Sequence, residues 1–294
     1  MIGVHAALAL SRFIYDAAIM FVFGGISFVC FIAPRRLGGF IERQLHAPVM
    51  VVAVAAVAAA LVWLPLEVAS IGDAWTEVFN FSLMGTVLDN TTMGHVWVAR
   101  ALIPILLIMA AAADRPPMPV LLALSAVALA SLALTGHAMM DEGPRAAVHI
   151  INHIVHLLAA AGWIGSLVPV LLCLAALGDP ARAKYASLAL HRFSVMGHIA
   201  VALVVGTGII DMFMVLGHLP VHWSSPYQAL LSIKIALVAG MIGLALVNSY
   251  VLMPRVDDDN EATRALRRQT IAELVLATGV LALVAVLGML DPMD

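Results

Sequence analysis

Charged residues are scarce in this sequence. Only 11% of its 294 residues are Asp, Glu, Lys or Arg, whereas 63% are hydrophobic and the mean hydropathy is +1.04. A soluble globular domain carries about a quarter of its residues as charges, so this composition excludes one. The net charge of −3 and the pI of about 6.4 also exclude a basic nucleic-acid-binding surface. We therefore predict a membrane protein with no nucleic-acid partner.

Cysteine is also rare, because the chain contains only Cys30 and Cys173 and no CxxC spacing. Neither a disulfide framework nor a thiolate metal site is therefore predicted. The sequence has no GxSxG, no HExxH and no phosphate-binding Gly-rich loop, so we expect no hydrolytic machinery and no catalytic residues of that kind. An oxidoreductase activity would need a bound metal or haem.

Long apolar runs make up most of the sequence. A helix needs roughly 20 residues to cross about 30 Å of hydrocarbon. The N-terminus lacks the basic segment and cleavage site of a signal peptide, so we expect the first helix to remain in the mature protein. A short interfacial helix is expected around Trp75 and Phe79. An all-α protein with eight transmembrane helices is predicted, near residues 11–33, 46–70, 92–113, 117–139, 148–177, 191–217, 226–253 and 269–290.

Positive charges are concentrated at one end of the predicted helices. Cytoplasmic connections of membrane proteins carry an excess of Lys and Arg. We therefore predict that the connections after the first, third, fifth and seventh helices are cytoplasmic and that both termini are periplasmic. These connections hold Arg35, Arg36, Arg43, Arg115, Arg182, Lys184, Arg192, Arg255, Arg264, Arg267 and Arg268.

The two halves of the chain, 1–140 and 141–294, show a weak internal similarity. When they are laid side by side, Arg100 in the third helix falls opposite Lys234 in the seventh. Leu-His pairs also open the second and sixth helices, at 45–46 and 190–191. The halves would then form one membrane domain of two parallel four-helix repeats, as in some transporters. The shared composition of apolar helices is an alternative explanation.

Histidines are frequent at the predicted outer side. The segment HIINHIVHLLAAAGW at 149–163 spaces His149, His153 and His156 at i, i+4 and i+7, so all three project from one helix face. Further His and Met side chains lie at the same predicted depth: His137, Met139 and Met140 in the fourth helix, and Met93 and His95 in the third.

Imidazole and thioether groups together favour copper. Thioether sulfur is a soft ligand that prefers Cu(I), whereas imidazole accepts either oxidation state. We therefore predict a copper site formed by these His and Met side chains, with the Asp16 carboxylate orienting a ligating imidazole. Polar helix ends and gap-filling methionines are the alternative explanation.

Three more charged side chains lie inside the predicted helices, namely Arg100, Lys234 and Asp211. Charges in hydrocarbon are costly and mark function or buried partners. Two interpretations are open. Either the long Lys and Arg stems reach the interface, or Asp16 or Asp211 neutralises Arg100 or Lys234 inside the bundle.

Four motifs resemble the copper-resistance protein D (CopD) family of bacterial inner-membrane proteins. They are LTGHA (134–138), HLLAAAGWIGSLVPV (156–170), HRFSVMGHIAVALVVGTGI (191–209) and SPYQALLSIKIALVAGMIGLALVNSYVLMPR (225–255), in family order. The family's eight-helix topology agrees with the count of apolar runs. Two positions depart from the family pattern, because Gln228 stands where the family often has Gly and Ser249 where it often has Arg.

The resemblance implies a multi-pass protein of the bacterial inner membrane that moves copper from the periplasm toward the cytoplasm. It also implies a periplasmic copper-binding partner of the CopC type. By correspondence with the family motifs, His137 and His156 are the first candidates for copper ligands, and Lys234 is the family's intramembrane cation. The other His and Met candidates follow from spacing and depth alone.

A haem b electron-transfer protein is the alternative function. Two imidazoles from different helices at one depth can ligate a haem iron axially. A four-helix unit around haem would also explain duplicated halves, but it gives no role to Met139 and Met140. The candidate haem ligands are His95, His137, His153 and His156 at the outer side and His46 and His198 at the inner side.

Overall fold

Helices make up the regular structure of the chain. The computed structural model describes residues 2–136, 142–256 and 259–292, in which ten α-helices and no strand occur. Short π-helical turns extend α1 over Phe28–Ile32 and α9 over Asn248–Leu252. The predicted all-α membrane protein is confirmed. The helices are α1 (Ile2–Ser27), α2 (Arg35–Ile71), α3 (Phe81–Asn90), α4 (Thr92–Ala111), α5 (Met118–Leu132), α6 (Gly143–Ile164), α7 (Leu167–Ala176), α8 (Ala183–Leu216), α9 (Pro226–Val247) and α10 (Asn260–Leu287).

The described residues contain 7 helical segments long and apolar enough to cross a membrane, and α6 and α7 together form one of them. The remaining predicted span, 117–139, is a shorter helix of 15 residues, α5. It ends before Gly136, whose backbone is left-handed (φ 83°) and cannot continue an α-helix. The count of eight transmembrane helices stays a prediction.

The long connection between α2 and α4 contains more helix than the sequence indicated. The expected interfacial helix is present as a 3₁₀ turn over Trp75–Phe79. It is followed by α3, which was not predicted because its apolar face is short. The side chain of Asn80 caps α3 by accepting from the Leu83 amide at 3.0 Å.

α1 holds the two halves of the chain together. It packs against α2 and α5 on one side and against α6 and α10 on the other. Gly24 of α1 meets Gly165 so closely that a Cβ atom at either glycine would overlap backbone atoms of the facing segment. Ser166 donates its hydroxyl to the Gly24 carbonyl oxygen at 3.1 Å. Gly24 and Gly165 therefore serve the close packing of the two segments.

The two ends of the bundle differ in charge. The Arg182 guanidinium lies 4.4 Å from the centroid of the Phe40 ring, which brings the connection before α8 against the start of α2. We call this the arginine end. At the opposite, terminal end, Arg12 donates to the Gly288 carbonyl oxygen at 3.2 Å. The orientation of these ends in the membrane stays a prediction from the positive-inside rule.

Replacing Gly24 by Ala tests the close contact between the halves. We expect Gly24→Ala to lower the free energy of unfolding by about 1–3 kcal/mol, because the new methyl group must push two backbones apart. Gly162→Ala is the matched control, since a Cβ atom there meets no heavy atom within 4 Å. Unfolding in mixed micelles, followed by tryptophan emission, measures the difference. Equal stability of the two variants would contradict the described crossing.

Single-cysteine labelling tests the orientation. In a background with Cys30 and Cys173 replaced by Ser, we expect Asp89→Cys to react with a membrane-impermeant maleimide in cells with a permeable outer membrane. Ala181→Cys, at the arginine end, should react only after the inner membrane is broken. The opposite pattern would invert the predicted topology. Both positions are exposed in the structure.

Candidate functional site

A cavity of about 190 Å³ lies between the two halves of the chain. Side chains from α1, α2 and α4 face side chains from α6, α8, α9 and α10 across it. We call it the histidine cavity. Separate helices thus bring together many of the residues that the sequence had singled out: Asp16, Arg100, His149, His153, His156, Asp211 and Lys234 all line it.

Asp211 of α8 connects α8 to the histidine-bearing face of α6. It accepts from His153 Nδ1 at 2.8 Å and from the Asn152 side-chain amide at 2.6 Å. The Nε2 atom of His149 lies 3.7 Å from Asp211 Oδ1, the oxygen that also accepts from Asn152. Because a carboxylate only accepts, His153 carries its proton on Nδ1 and keeps the lone pair on Nε2. This is the arrangement in which a carboxylate orients an imidazole that ligates a metal.

His156 is held in the same tautomer by a different partner. The Thr207 hydroxyl donates its only proton to the Leu203 carbonyl oxygen at 2.5 Å. Its oxygen therefore accepts from His156 Nδ1, at 2.9 Å, and the lone pair of His156 lies on Nε2. The ring also lies close to Gly208, where a Cβ atom would stand 3.2 Å from His156 Cε1. A small residue at 208 thus makes room for the imidazole.

The charged side chains of the cavity lie within electrostatic range of oppositely charged ones. Asp16 of α1 interacts electrostatically with Arg12 and Arg100, and Asp211 does so with Lys234 of α9. Arg100 and Lys234 line the cavity, so they point into the bundle and do not extend to the interface. Of the two interpretations of these charges, the geometry favours neutralisation. Asp211, not Asp16, is the carboxylate that hydrogen-bonds a cavity histidine.

Arg100 is the cation of the N-terminal half of the cavity. Its Nη2 donates to the Thr135 hydroxyl at 2.6 Å, and its guanidinium carbon lies 5.9 Å from the Trp63 ring centroid. These contacts hold it beside the end of α5. The N-terminal half therefore contributes positive charge and aromatic surface to the cavity, while α6 contributes the imidazoles.

The other predicted ligands are placed differently. His95 is exposed on α4 and does not line the histidine cavity, whereas Met93 packs near Leu8 at the terminal end. The described chain before residue 137 ends at Gly136, which lines the cavity wall. Three predicted ligands lie outside the described residues: His137, Met139 and Met140.

Within the described residues, no three His, Cys, Asp or Glu side chains are grouped so that they could hold a metal ion. His153 and His156 lie nearest to such a group. Their rings stack with centroids 6.2 Å apart and an interplanar angle of 8°. Any metal between them would need further ligands from other residue types or from the segment that the structure leaves undescribed.

The predicted haem pairs are not assembled among the described residues. Every described histidine that lines the histidine cavity comes from α6, so none faces it from another helix. His46 contacts the Ala111 carbonyl oxygen at 3.2 Å and His198 the Ser194 carbonyl oxygen at 2.6 Å. These two line separate pockets at the arginine end.

The sequence had not singled out Asn152 or Thr207. Asn152 bridges α6 and α8 by donating to the Thr207 carbonyl oxygen at 2.9 Å and to Asp211. The sequence did contain a pattern that points to them, because Thr207 and Asp211 are four residues apart and so form a polar face on one helix. That face had to pack against something polar, and the INHIVH segment is the polar face available.

Comparison with known proteins agrees with the resemblance. The protein-family model described as "Copper resistance protein D-like, N-terminal domain" matches residues 1–148, and the family model described as "Copper resistance protein D" matches residues 187–287. No solved structure matches.

Two curated relatives resemble the chain over most of its length. It is 33% identical over 288 residues to Inner membrane protein YebZ of Escherichia coli (strain K12), which covers 96% of this chain and 97% of that protein. It is 33% identical over 257 residues to Copper resistance protein D of Pseudomonas syringae pv. tomato, with 80% and 82% covered. The chain therefore belongs to the copper resistance protein D family of multi-pass inner-membrane proteins.

Proposed function

We propose that this protein binds copper in the histidine cavity and moves it from the periplasm toward the cytoplasm. The observation that carries the proposal is the matched orientation of His153 and His156. Each imidazole is fixed through Nδ1, so each offers Nε2 to a metal in the cavity. Imidazole is a common copper ligand in both oxidation states.

The copper site would be completed by the segment that follows Gly136. His137, Met139 and Met140 come next in the sequence after the cavity wall, and a thioether would favour Cu(I). Asp211 and Thr207 would then act behind the metal by holding the two imidazoles. Lys234 and Arg100 would keep the cavity close to neutral before copper enters.

The direction of transport follows from the predicted orientation. The histidine cavity lies toward the terminal end, which the positive-inside rule assigns to the periplasm. Copper would therefore enter from that side, delivered by a periplasmic copper-binding protein of the CopC type. The proposal for haem b is weaker, because it needs a second histidine facing α6 from another helix.

Copper retention tests the site. We expect wild-type protein in lipid nanodiscs to retain copper, and His153→Ala and His156→Ala each to lose most of it, because each removes one Nε2 ligand. His95→Ala is the matched control, since that imidazole is exposed on α4. Elemental analysis for copper and iron on one sample measures the result. Unchanged copper in both variants would contradict the site, and stoichiometric iron with a Soret band would favour haem.

The hydrogen bond from His156 to Thr207 gives a finer test. We expect Thr207→Val to weaken copper binding by about 10- to 100-fold, because the ring loses the acceptor that fixes its tautomer. Thr278→Val is the matched control. Its hydroxyl also donates to a carbonyl oxygen one turn back, that of Leu274, but it is exposed and contacts no histidine. Competition against a Cu(I) chelator measures both affinities, and equal affinities would remove Thr207 from the site.

Transport itself is tested in cells. We expect expression of the wild-type protein to raise cytoplasmic copper above that of cells with an empty vector, and the His156→Ala variant to give no increase at equal membrane abundance. Cytoplasmic copper is measured after removal of the periplasm. A fall on expression of the wild type would reverse the proposed direction without affecting the binding site.

A further inference from the structure

A second cavity, of about 200 Å³, lies at the arginine-end half of the bundle. It is formed by α7, α8, α9 and α10 together with Trp163 of α6, and it shares no lining residue with the histidine cavity. Most of its wall is apolar, with a small set of polar side chains grouped on α8, α9 and α10. We call it the Glu273 cavity.

Glu273 is a carboxyl group buried inside a membrane-spanning helix. Its side chain is 2% exposed. It accepts from the Asn248 amide at 2.5 Å, and the Trp163 indole lines the same cavity. None of the described residues that line the cavity is Lys or Arg. A buried carboxylate in hydrocarbon needs a positive charge nearby, and here the described protein side chains do not supply one.

The neighbouring polar atoms are also suited to a cation. Asn248 Oδ1 is buried and has no hydrogen-bond donor. The Ser194 and Ser249 hydroxyls, which also line the cavity, hydrogen-bond each other. Asn248 and Ser249 begin the π-helical turn that follows α9, and such turns occur often at functional sites. Oxygen acceptors therefore line the same cavity as a carboxylate that lacks a counter-charge.

His198 is the other titratable side chain among the described residues that line this cavity. Its Nδ1 donates to the Ser194 carbonyl oxygen, which leaves the lone pair on Nε2. Its ring meets Tyr250 edge-on with centroids 5.4 Å apart. Among the described residues, α6, α7 and α9 contribute no titratable side chain to the wall of this cavity.

We propose that the Glu273 cavity binds one monovalent cation and that a proton and a metal cation compete for the Glu273 carboxylate. When a metal cation binds, the carboxylic acid releases its proton to water at the arginine end, so one positive charge replaces another. This site is independent of copper binding at the histidine cavity, because the two cavities have different walls. It gives an inner-membrane transporter a place to exchange a proton on the cytoplasmic side.

Trp163 is a built-in reporter for this site, because its indole lines the same cavity as Glu273. Full-length protein in nanodiscs is titrated with Na⁺, with K⁺ or with anaerobic Cu⁺, at ionic strength held constant by a bulky organic cation, and separately with acid. We expect the Trp163 emission to shift in the acid titration and in at least one of the metal titrations. The Trp163→Phe variant gives the background from the other tryptophans.

Glu273→Gln keeps the shape and the acceptor oxygen but removes the charge, so we expect it to lose the response. Glu261→Gln, an exposed carboxyl on the same helix, should keep the wild-type response. A response to a metal identifies the competing cation and supports the site. A response to acid alone would show that only a proton binds there and would overturn the proposed exchange. No response in the wild type, a response retained in Glu273→Gln, or an acid response lost only in His198→Gln would overturn it.

Discussion

Asp211 is a carboxylate in an apolar helix, and its hydrogen bonds join α8 to α6. Inside a bilayer no water replaces a missing partner, so its oxygens must be satisfied by protein. Asn152 and His153 supply hydrogen bonds from α6, and Lys234 supplies charge from α9. The same contacts that hold the helices together also fix the tautomer of His153. The hydrogen bonds that pack α6 against α8 therefore also orient the His153 imidazole.

The two cavities differ in how their charged side chains are arranged inside the membrane. In the histidine cavity, the acidic and basic side chains come from several helices and face each other. In the Glu273 cavity, a single carboxyl has hydrogen-bond donors but no described cation. A site with balanced charges can hold its shape with or without its ligand, whereas a site with one uncompensated charge depends on what it binds.

Much of this arrangement could be predicted from the sequence. Hydropathy predicted an all-α membrane protein, and the spacing of His149, His153 and His156 placed them on one face. The partner of that face could not be predicted, because spacing says nothing about which helix lies opposite. Asp16 was therefore predicted to orient an imidazole, whereas packing places Asp211 against His153. Glu273 was missed because a single carboxyl in a long apolar run forms no pattern with other polar residues. His95 was predicted as a ligand but is exposed, because helical depth alone does not tell which face is buried.

The apolar cluster between the two cavities has a consequence for the electrical behaviour of the protein. Trp163, Met241, Ala277 and Val280 fill the layer where both cavities end. Lys234 and Ile242, which line the two cavities from one helix, are about 12 Å apart along its axis. A cation must displace this insulating layer to pass, and it then moves through a large share of the membrane voltage, up to about 2.3 kcal/mol per charge at 100 mV. In the proposed transporter, this layer would limit the leakage of ions between the two cavities.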